Sequence, residues 1–149
     1  MRPFVENLPF LCIFLAILTG IVSAVIPLGR VCYWMTVTVA GIIAVLSAVV
    51  LQYTYGGNLS FTYSMGRFAA PYGNAIQCGP LQALLAMVFS VVLAQALAGG
   101  KRDLFHDVLP GKLRLYFTMV NLLEASLLAL VYTNDVFTGY VFIEISTIA

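Results

Sequence analysis

Long stretches of the chain contain no charged residue. No Asp, Glu, Lys or Arg occurs at positions 7–29, 31–66 or 68–100. A helix that crosses a bilayer needs about 20 mostly apolar residues, because the hydrocarbon core is about 30 Å thick and a helix rises about 1.5 Å per residue. Each stretch is long enough for one spanning helix. The pattern therefore predicts a polytopic transmembrane bundle of the all-α class.

Turn-forming residues divide the chain into five helical segments. Pro27, Gly56, Gly99 and Pro110 mark breaks between apolar runs, and Asn134 begins a short turn before the last run. We predict helices at 8–26, 31–54, 80–98, 113–133 and 136–149. Four of these segments are long enough to span a membrane, and the fifth is not.

The fifth segment ends with the chain. Fourteen helical residues measure about 21 Å, which is shorter than the hydrocarbon core. A free carboxylate at Ala149 would then lie at membrane depth, where an unpaired charge is costly. We therefore expect residues 1–149 to form a single transmembrane domain that is the N-terminal part of a larger subunit.

A secretory signal peptide is the competing interpretation of the first segment. Val22, Ser23 and Ala24 resemble a small-residue cleavage site. The apolar run is longer than the roughly 7–15 residues of a signal-peptide core, which favours a retained helix.

The segment after the second helix has a different pattern. Apolar and polar residues alternate from position 59 to 64, a period of two that indicates a strand. Turn formers follow, namely Gly66, Arg67, Pro71, Gly73 and Asn74. We predict a short strand or hairpin in this loop, which lies on the outer side of the membrane.

Basic residues are concentrated on one side of the predicted bundle. That side carries five cations, and the opposite side carries two, Arg2 and Arg67. The five are Arg30, Lys101, Arg102, Lys112 and Arg114. The positive-inside rule then places the charged segment 101–114 in the cytoplasm and the N-terminus outside a bacterial or archaeal cell membrane.

The composition narrows the class of protein further. Apolar residues make up 62% of the chain and charged residues 9%, and the formal net charge is +1. These values exclude an ordinary soluble enzyme, a disordered chain and a nucleic-acid-binding protein, which needs a basic patch. The three cysteines lack metal-ligand spacing, so we expect no metal site. The sequence contains no GxSxG, HExxH or GxGxxG motif, so we expect no cofactor and no catalytic site in this chain. His106 lies in the charged segment and is interpreted as a solvated loop residue, with proton entry as the alternative.

Two acidic residues interrupt otherwise apolar helices. Glu124 lies in the fourth segment and Glu144 in the fifth, each about ten residues from the turn at Asn134. An ionisable group at bilayer depth costs about 2.5–3.5 kcal/mol on insertion scales and tends to mark an ion pathway. The alternative is a neutral carboxyl that joins helices through hydrogen bonds.

Polar residues accompany both acids at helical spacing. The fourth segment has Thr118 and Asn121 before Glu124, and the fifth has Tyr140 before Glu144. Asp135 is the expected N-cap of the fifth helix. If both stripes face the contact between these helices, the two carboxyls share a site and one proton. If the stripes face different neighbours, each acid acts alone.

The segment 134–146 resembles the fifth helix of a known family, the antiporter-like subunits shared by complex I, Mrp-type cation/proton antiporters and membrane-bound hydrogenases. The matching residues are Asp135, Phe137, Tyr140, Val141, Phe142 and Glu144. Two weaker similarities precede this motif in the expected order, at 63–73 and at 81–84.

The resemblance implies a role for one residue in particular. In the family the matching glutamate takes part in proton translocation, together with a lysine on a later helix, and this role falls on Glu144. The resemblance also implies that other membrane subunits are partners and that protons or sodium ions are moved across the bilayer. Glu124 would be a second site. The other functional class left open is a structural anchor or assembly subunit without an ion path.

Overall fold

The computed structural model describes residues 5–57, 60–64 and 75–149. The described chain forms helices α1 (Leu8–Val25), α2 (Gly29–Gly57), α3 (Pro80–Gly99), α4 (Lys101–Asp107), α5 (Leu113–Tyr132) and α6 (Val136–Ile148), with strands β1 (Phe61–Ser64) and β2 (Ala75–Cys78) between α2 and α3. Arg2 and the turn formers between 66 and 74 lie outside the described residues.

The prediction of an all-α transmembrane bundle is confirmed. Helices α1, α2, α3 and α5 are each long and apolar enough to cross a membrane. Helix α2 has 29 residues and extends the predicted segment at both ends. Helix α6 has 13 residues, so it measures about 20 Å. The architecture is therefore four spanning helices with a shorter fifth apolar helix beside them.

Small residues form the seams between the helices. The buried faces of α1, α2 and α3 consist largely of small residues: Cys12, Ala16, Gly20, Ser23, Cys32, Thr36, Ala40, Ser47, Ala83, Ala86 and Ser90. At Gly20, a Cβ atom would lie 3.4 Å from the Cβ atom of Asn121 on α5. Small side chains let helix backbones approach closely, which is how membrane helices gain packing energy without a hydrophobic driving force.

Large apolar side chains face outward instead. Phe14, Ile21, Val45, Leu81 and Val92 are all exposed on the spanning helices. A soluble protein would bury such residues, whereas lipid tails solvate them as well as a protein core does. The outer surface is therefore suited to a hydrocarbon environment.

The charged segment after α3 is a short helix and not the loop that its composition indicated. Helix α4 runs from Lys101 to Asp107, and its C-terminal amide at Val108 donates a hydrogen bond to the carbonyl of Leu104. Leu104 and Phe105 are half-buried against a cluster that joins α2, α3 and α5. Burial of these two side chains accounts for the helix, because an isolated seven-residue helix is unstable in water.

A two-stranded antiparallel hairpin covers one end of the bundle. Phe61 pairs with Cys78, and Ile76 forms a bridge to Thr133 just after α5. The predicted strand or hairpin is confirmed in its two-stranded form, and the pattern did not indicate where the second strand, β2, lies. Because Ile76 and Cys78 are buried, the hairpin packs directly on the helix ends.

Candidate functional site: a buried carboxyl in the helix bundle

Glu124 lies in the interior of the bundle. Its side chain is 2% exposed, and neither carboxyl oxygen accepts a hydrogen bond from a described protein group. An unpaired carboxylate in a low-dielectric interior is costly, so the group requires a proton, water or a cation as its partner.

Residues from each spanning helix surround this carboxyl. Ser90 of α3 lies close enough to interact with it, outside ordinary hydrogen-bond geometry, and Cys12 of α1 lies near both Glu124 and Ser47 of α2. Tyr132, two turns farther along α5, lies near Cys12 and Ser47. We call these five residues the central polar cluster.

The oxygen atoms of the cluster are unsatisfied. The hydroxyls of Ser47, Ser90 and Tyr132 are buried and, like the Glu124 carboxyl, make no hydrogen bond of ordinary geometry to a described residue, although Ser90 lies close to Glu124 and Ser47 lies close to Cys12 and Tyr132. Buried polar groups in proteins almost always have a partner, and ordered water commonly supplies it. Hydroxyl and carboxyl oxygens grouped in this way can bind water, a proton or a small cation.

Asn121 extends the polar core toward the basic end of the bundle, where Arg30 and Lys101 lie. Its Nδ2 atom donates hydrogen bonds to the Thr36 hydroxyl (2.8 Å) and to the Phe117 carbonyl (2.6 Å). The Thr36 hydroxyl donates in turn to the carbonyl of Cys32 (2.9 Å), and Oδ1 of Asn121 remains unpaired. From Asn121 to Tyr132 the buried polar groups of α5 extend about 16 Å along the helix axis.

The stripe predicted on α5 holds for two of its three members. Asn121 and Glu124 are buried together, whereas Thr118 is only partly buried and donates its hydroxyl to the Arg114 carbonyl (2.9 Å). Ser47, Ser90 and Tyr132 were not among the predicted site residues. A signal was present for Ser47, because it follows Thr36, Ala40 and Ile43 at helical spacing on one face of α2.

The predicted site residues of α6 do not belong to the central polar cluster. Glu144 is exposed, and Tyr140 is 60% exposed. Gly139 is the buried residue of this helix; a Cβ atom there would meet Thr133 and Leu130 of the α5 end. The stripe of α5 faces the bundle interior and that of α6 is exposed, so the two stripes do not both face the contact between these helices. The roles of Glu144 and Tyr140 stay predictions.

Asp135 caps α6 as predicted. Its Oδ2 atom accepts hydrogen bonds from the Thr138 amide (3.2 Å) and the Thr138 hydroxyl (2.9 Å). These bonds, the hydroxyl first and the amide second, lower the pKa of the Asp135 carboxyl below its ordinary value of 3.8. The cap fixes the first turn of the helix that carries Tyr140 and Glu144.

Loss of this cap should loosen the start of α6. We expect Asp135→Ala to speed hydrogen exchange at the Thr138 amide, while Asp135→Asn, which keeps a capping oxygen, preserves most of the protection. Because the folded pKa is the lower one, the ionised cap stabilises fully above pH 3.8 and loses its effect as pH falls through the folded value. Equal exchange in Asp135→Ala and the parent protein would contradict the prediction.

The fold is similar to that of a chain in a solved respiratory complex. The structure of the membrane-bound sulfane sulfur reductase, an archaeal respiratory membrane complex, contains a chain that superimposes with a TM-score of 0.74 at 20% sequence identity. The match covers 95% of this chain and 29% of that one, so the chain spans less than a third of its neighbour's length. No protein-family model and no curated protein matches the chain. At this identity the likeness shows a shared fold alone.

Proposed function

We propose that the chain belongs to an ion-translocating membrane subunit of a multi-subunit respiratory complex and that Glu124 binds the transported proton or sodium ion. The observation that carries this proposal is the Glu124 carboxyl, which is buried among helices α1, α2, α3 and α5 and makes no hydrogen bond of ordinary geometry to any residue that the structure describes. Intramembrane acids in such positions generally mark ion pathways.

The contacts of Glu124 favour this function over a purely structural one. A carboxyl that joins helices needs hydrogen bonds to its neighbours. Among the described residues Glu124 makes no hydrogen bond of ordinary geometry, and the Ser90 hydroxyl is close enough only for a weaker interaction. Asn121 shows the structural pattern by contrast, because its amide bonds directly to α2.

Glu144 has a separate role in the proposal. It lies on the exposed face of α6, where a single acid in contact with lipid would be costly. A further helix, from the same subunit or from a partner, would cover this face and pair with the carboxyl. The family resemblance assigns proton transfer to Glu144, with Tyr140 and Asp135 in supporting positions.

The proposal also includes the complex to which the subunit belongs and the direction in which it crosses the membrane. The structural neighbour belongs to an archaeal respiratory membrane complex, and we extend that setting to this chain. The partners are other membrane subunits, and oxidation and reduction occur in those partners. The N-terminus faces outward across the cell membrane, and the basic end faces the cytoplasm.

Glutamine substitutions test the proposal. In the assembled complex reconstituted into vesicles, we expect Glu124→Gln to slow proton or sodium uptake by about 100-fold or more, the lower range for loss of a positioned proton-transfer group. Glu144→Gln should also slow uptake. Glu6→Gln is the matched control outside the spanning helices, and its uptake should be unchanged.

Assembly must be measured on the same samples. Native gel electrophoresis should show intact complexes for all three variants, because glutamine preserves the size of the side chain. Normal uptake in an intact Glu124→Gln complex would refute the role of Glu124. Loss of the complex itself would instead favour the anchor or assembly function.

A further inference from the structure

A large cavity opens at the basic end of the bundle. It has a volume of about 990 Å³ and lies between the first turns of α2, the end of α3, the helix α4 and the first residue of α5. Aromatic and basic side chains line it, namely Arg30, Tyr33, Trp34, Lys101, Arg102 and Phe105. We call it the basic cavity.

The cations of this cavity are not neutralised by the protein. Within the described ranges, Arg30, Lys101 and Arg102 form no ion pair with a carboxylate. The acids of α4, Asp103 and Asp107, line a different and smaller cavity of about 230 Å³ on the other side of the short helix. Helix α4 therefore separates its charges, and the basic cavity is suited to an anion.

Aromatic rings hold one cation at the cavity wall. The Lys101 ammonium lies 4.7 Å from the centroid of the Trp34 ring and 5.2 Å from that of Tyr33. Both distances are within the range of a cation–π interaction. The Tyr33 hydroxyl donates to the Leu97 carbonyl (3.3 Å), which joins this wall to α3. The two rings thus position the ammonium group, and no described carboxylate neutralises its charge.

An apolar groove continues from the same site along α2. It has a volume of about 460 Å³ and shares Arg30 and Trp34 with the basic cavity. Its other lining residues are Val31, Met35, Thr38 and Val39. The groove follows the outer face of a spanning helix, toward the middle of the predicted membrane.

We propose that the basic cavity and this groove together bind one anionic phospholipid, with the phosphate beside Arg30, Lys101 and Arg102 and an acyl chain along Val31, Met35 and Val39. A soluble phosphate would use the cavity and leave the groove unfilled. An acidic protein segment would pair with the cations of the cavity, but its charged side chains would not fill an apolar groove at membrane depth. Basic pockets between helices at a membrane surface are known to bind such head groups.

The only tryptophan of the sequence provides a direct reporter. Trp34 lines both the cavity and the groove and is 59% exposed. The full-length protein is reconstituted in phosphatidylcholine vesicles that contain phosphatidylglycerol, and brominated acyl chains are placed on one lipid or the other. Bromine quenches nearby tryptophan fluorescence, so brominated phosphatidylglycerol should quench more than brominated phosphatidylcholine at equal mole fraction. Trp34→Phe supplies the background.

A matched pair of double variants separates site binding from surface charge. Lys101→Gln with Arg102→Gln removes two cations of the cavity, and Lys112→Gln with Arg114→Gln removes the same residue types from outside it. We expect the first pair to lower the relative affinity for phosphatidylglycerol by about fivefold for each cation removed. The second pair should leave it nearly unchanged.

Three results would overturn the proposal. These are equal quenching by the two lipids in the parent protein, equal losses in the two double variants, and release of brominated phosphatidylglycerol by millimolar inorganic phosphate beyond the effect of sodium chloride at the same ionic strength. The last result would assign the cavity to soluble anions.

Discussion

Replacement of Phe117 with alanine should lower the free energy of unfolding by about 3–5 kcal/mol, the usual cost of removing a buried phenylalanine ring. The ring is fully buried, and its centroid lies 6.0 Å from that of Tyr33 in an edge-to-face arrangement. It belongs to the cluster with Cys32, Leu97 and Leu113 that joins α2, α3 and α5. Packing against neighbours is the main source of helix association in a bilayer, so a cavity here weakens several seams at once.

The matched control is the same substitution on the outer face. Phe14 is 49% exposed on α1, and in Phe14→Ala the lost contacts are largely with lipid. The unfolding equilibrium of each variant in detergent micelles or bicelles gives the comparison. Equal losses of stability for Phe117→Ala and Phe14→Ala would contradict the structure.

The second large effect is expected at Gly29, where α2 begins beside α5. A Cβ atom at this position would lie 2.8 Å from the Cβ atom of Leu113 and 2.9 Å from its Cδ1 atom. The Leu113 Cβ atom is fixed to the backbone, so the helix ends must move apart. We expect Gly29→Ala to destabilise the bundle by about 1–3 kcal/mol, the range for overpacking.

Gly41 provides the control for this substitution. It lies on the same helix, and no atom is within 4 Å of a Cβ atom built there. Gly41→Ala should be neutral or stabilising, because alanine favours a helix over glycine by up to about 1 kcal/mol. The double variant Gly29→Ala with Leu113→Gly, which removes the Cβ atom at position 113, should lose less stability than the sum of its single variants. Additive losses would show that the two residues do not contact each other.

The spanning helices could be predicted because the free-energy cost of placing a charge in a bilayer exceeds the secondary-structure propensities of single residues. Stretches without charge, such as 31–66, therefore define the spans almost directly. Helix α4 could not be predicted in this way. Its stability depends on the burial of Leu104 and Phe105 against residues distant in sequence, and its composition alone indicates a loop. Strand β2 likewise depends on its pairing with β1.

Only part of the candidate site could be predicted, because the sequence shows where a charge lies in an apolar run but not which helix faces pack together. A charged residue in an apolar run is conspicuous, and this singled out Glu124 together with Asn121 on the same face. Ser47, Ser90 and Tyr132 are uncharged, so they are not conspicuous in this way, and only the helical spacing of Ser47 on α2 pointed to a buried position. Hydrophobicity does not distinguish the inner face of a membrane helix from the outer one, because lipid and protein interior are equally apolar. The outward position of Glu144 also depends on packing, which places Gly139 against α5.

The small-residue seams have a mechanical consequence. Backbones in contact through Ala16, Gly20, Ala40 and Ala86 leave little free volume in which one helix could slide or tilt against another. A conformational change in the surrounding assembly would then displace these helices as one rigid body, and any hinge would lie in the connections between helices. We therefore expect a rearrangement of neighbouring membrane helices to move the bundle as a unit, with its internal geometry retained.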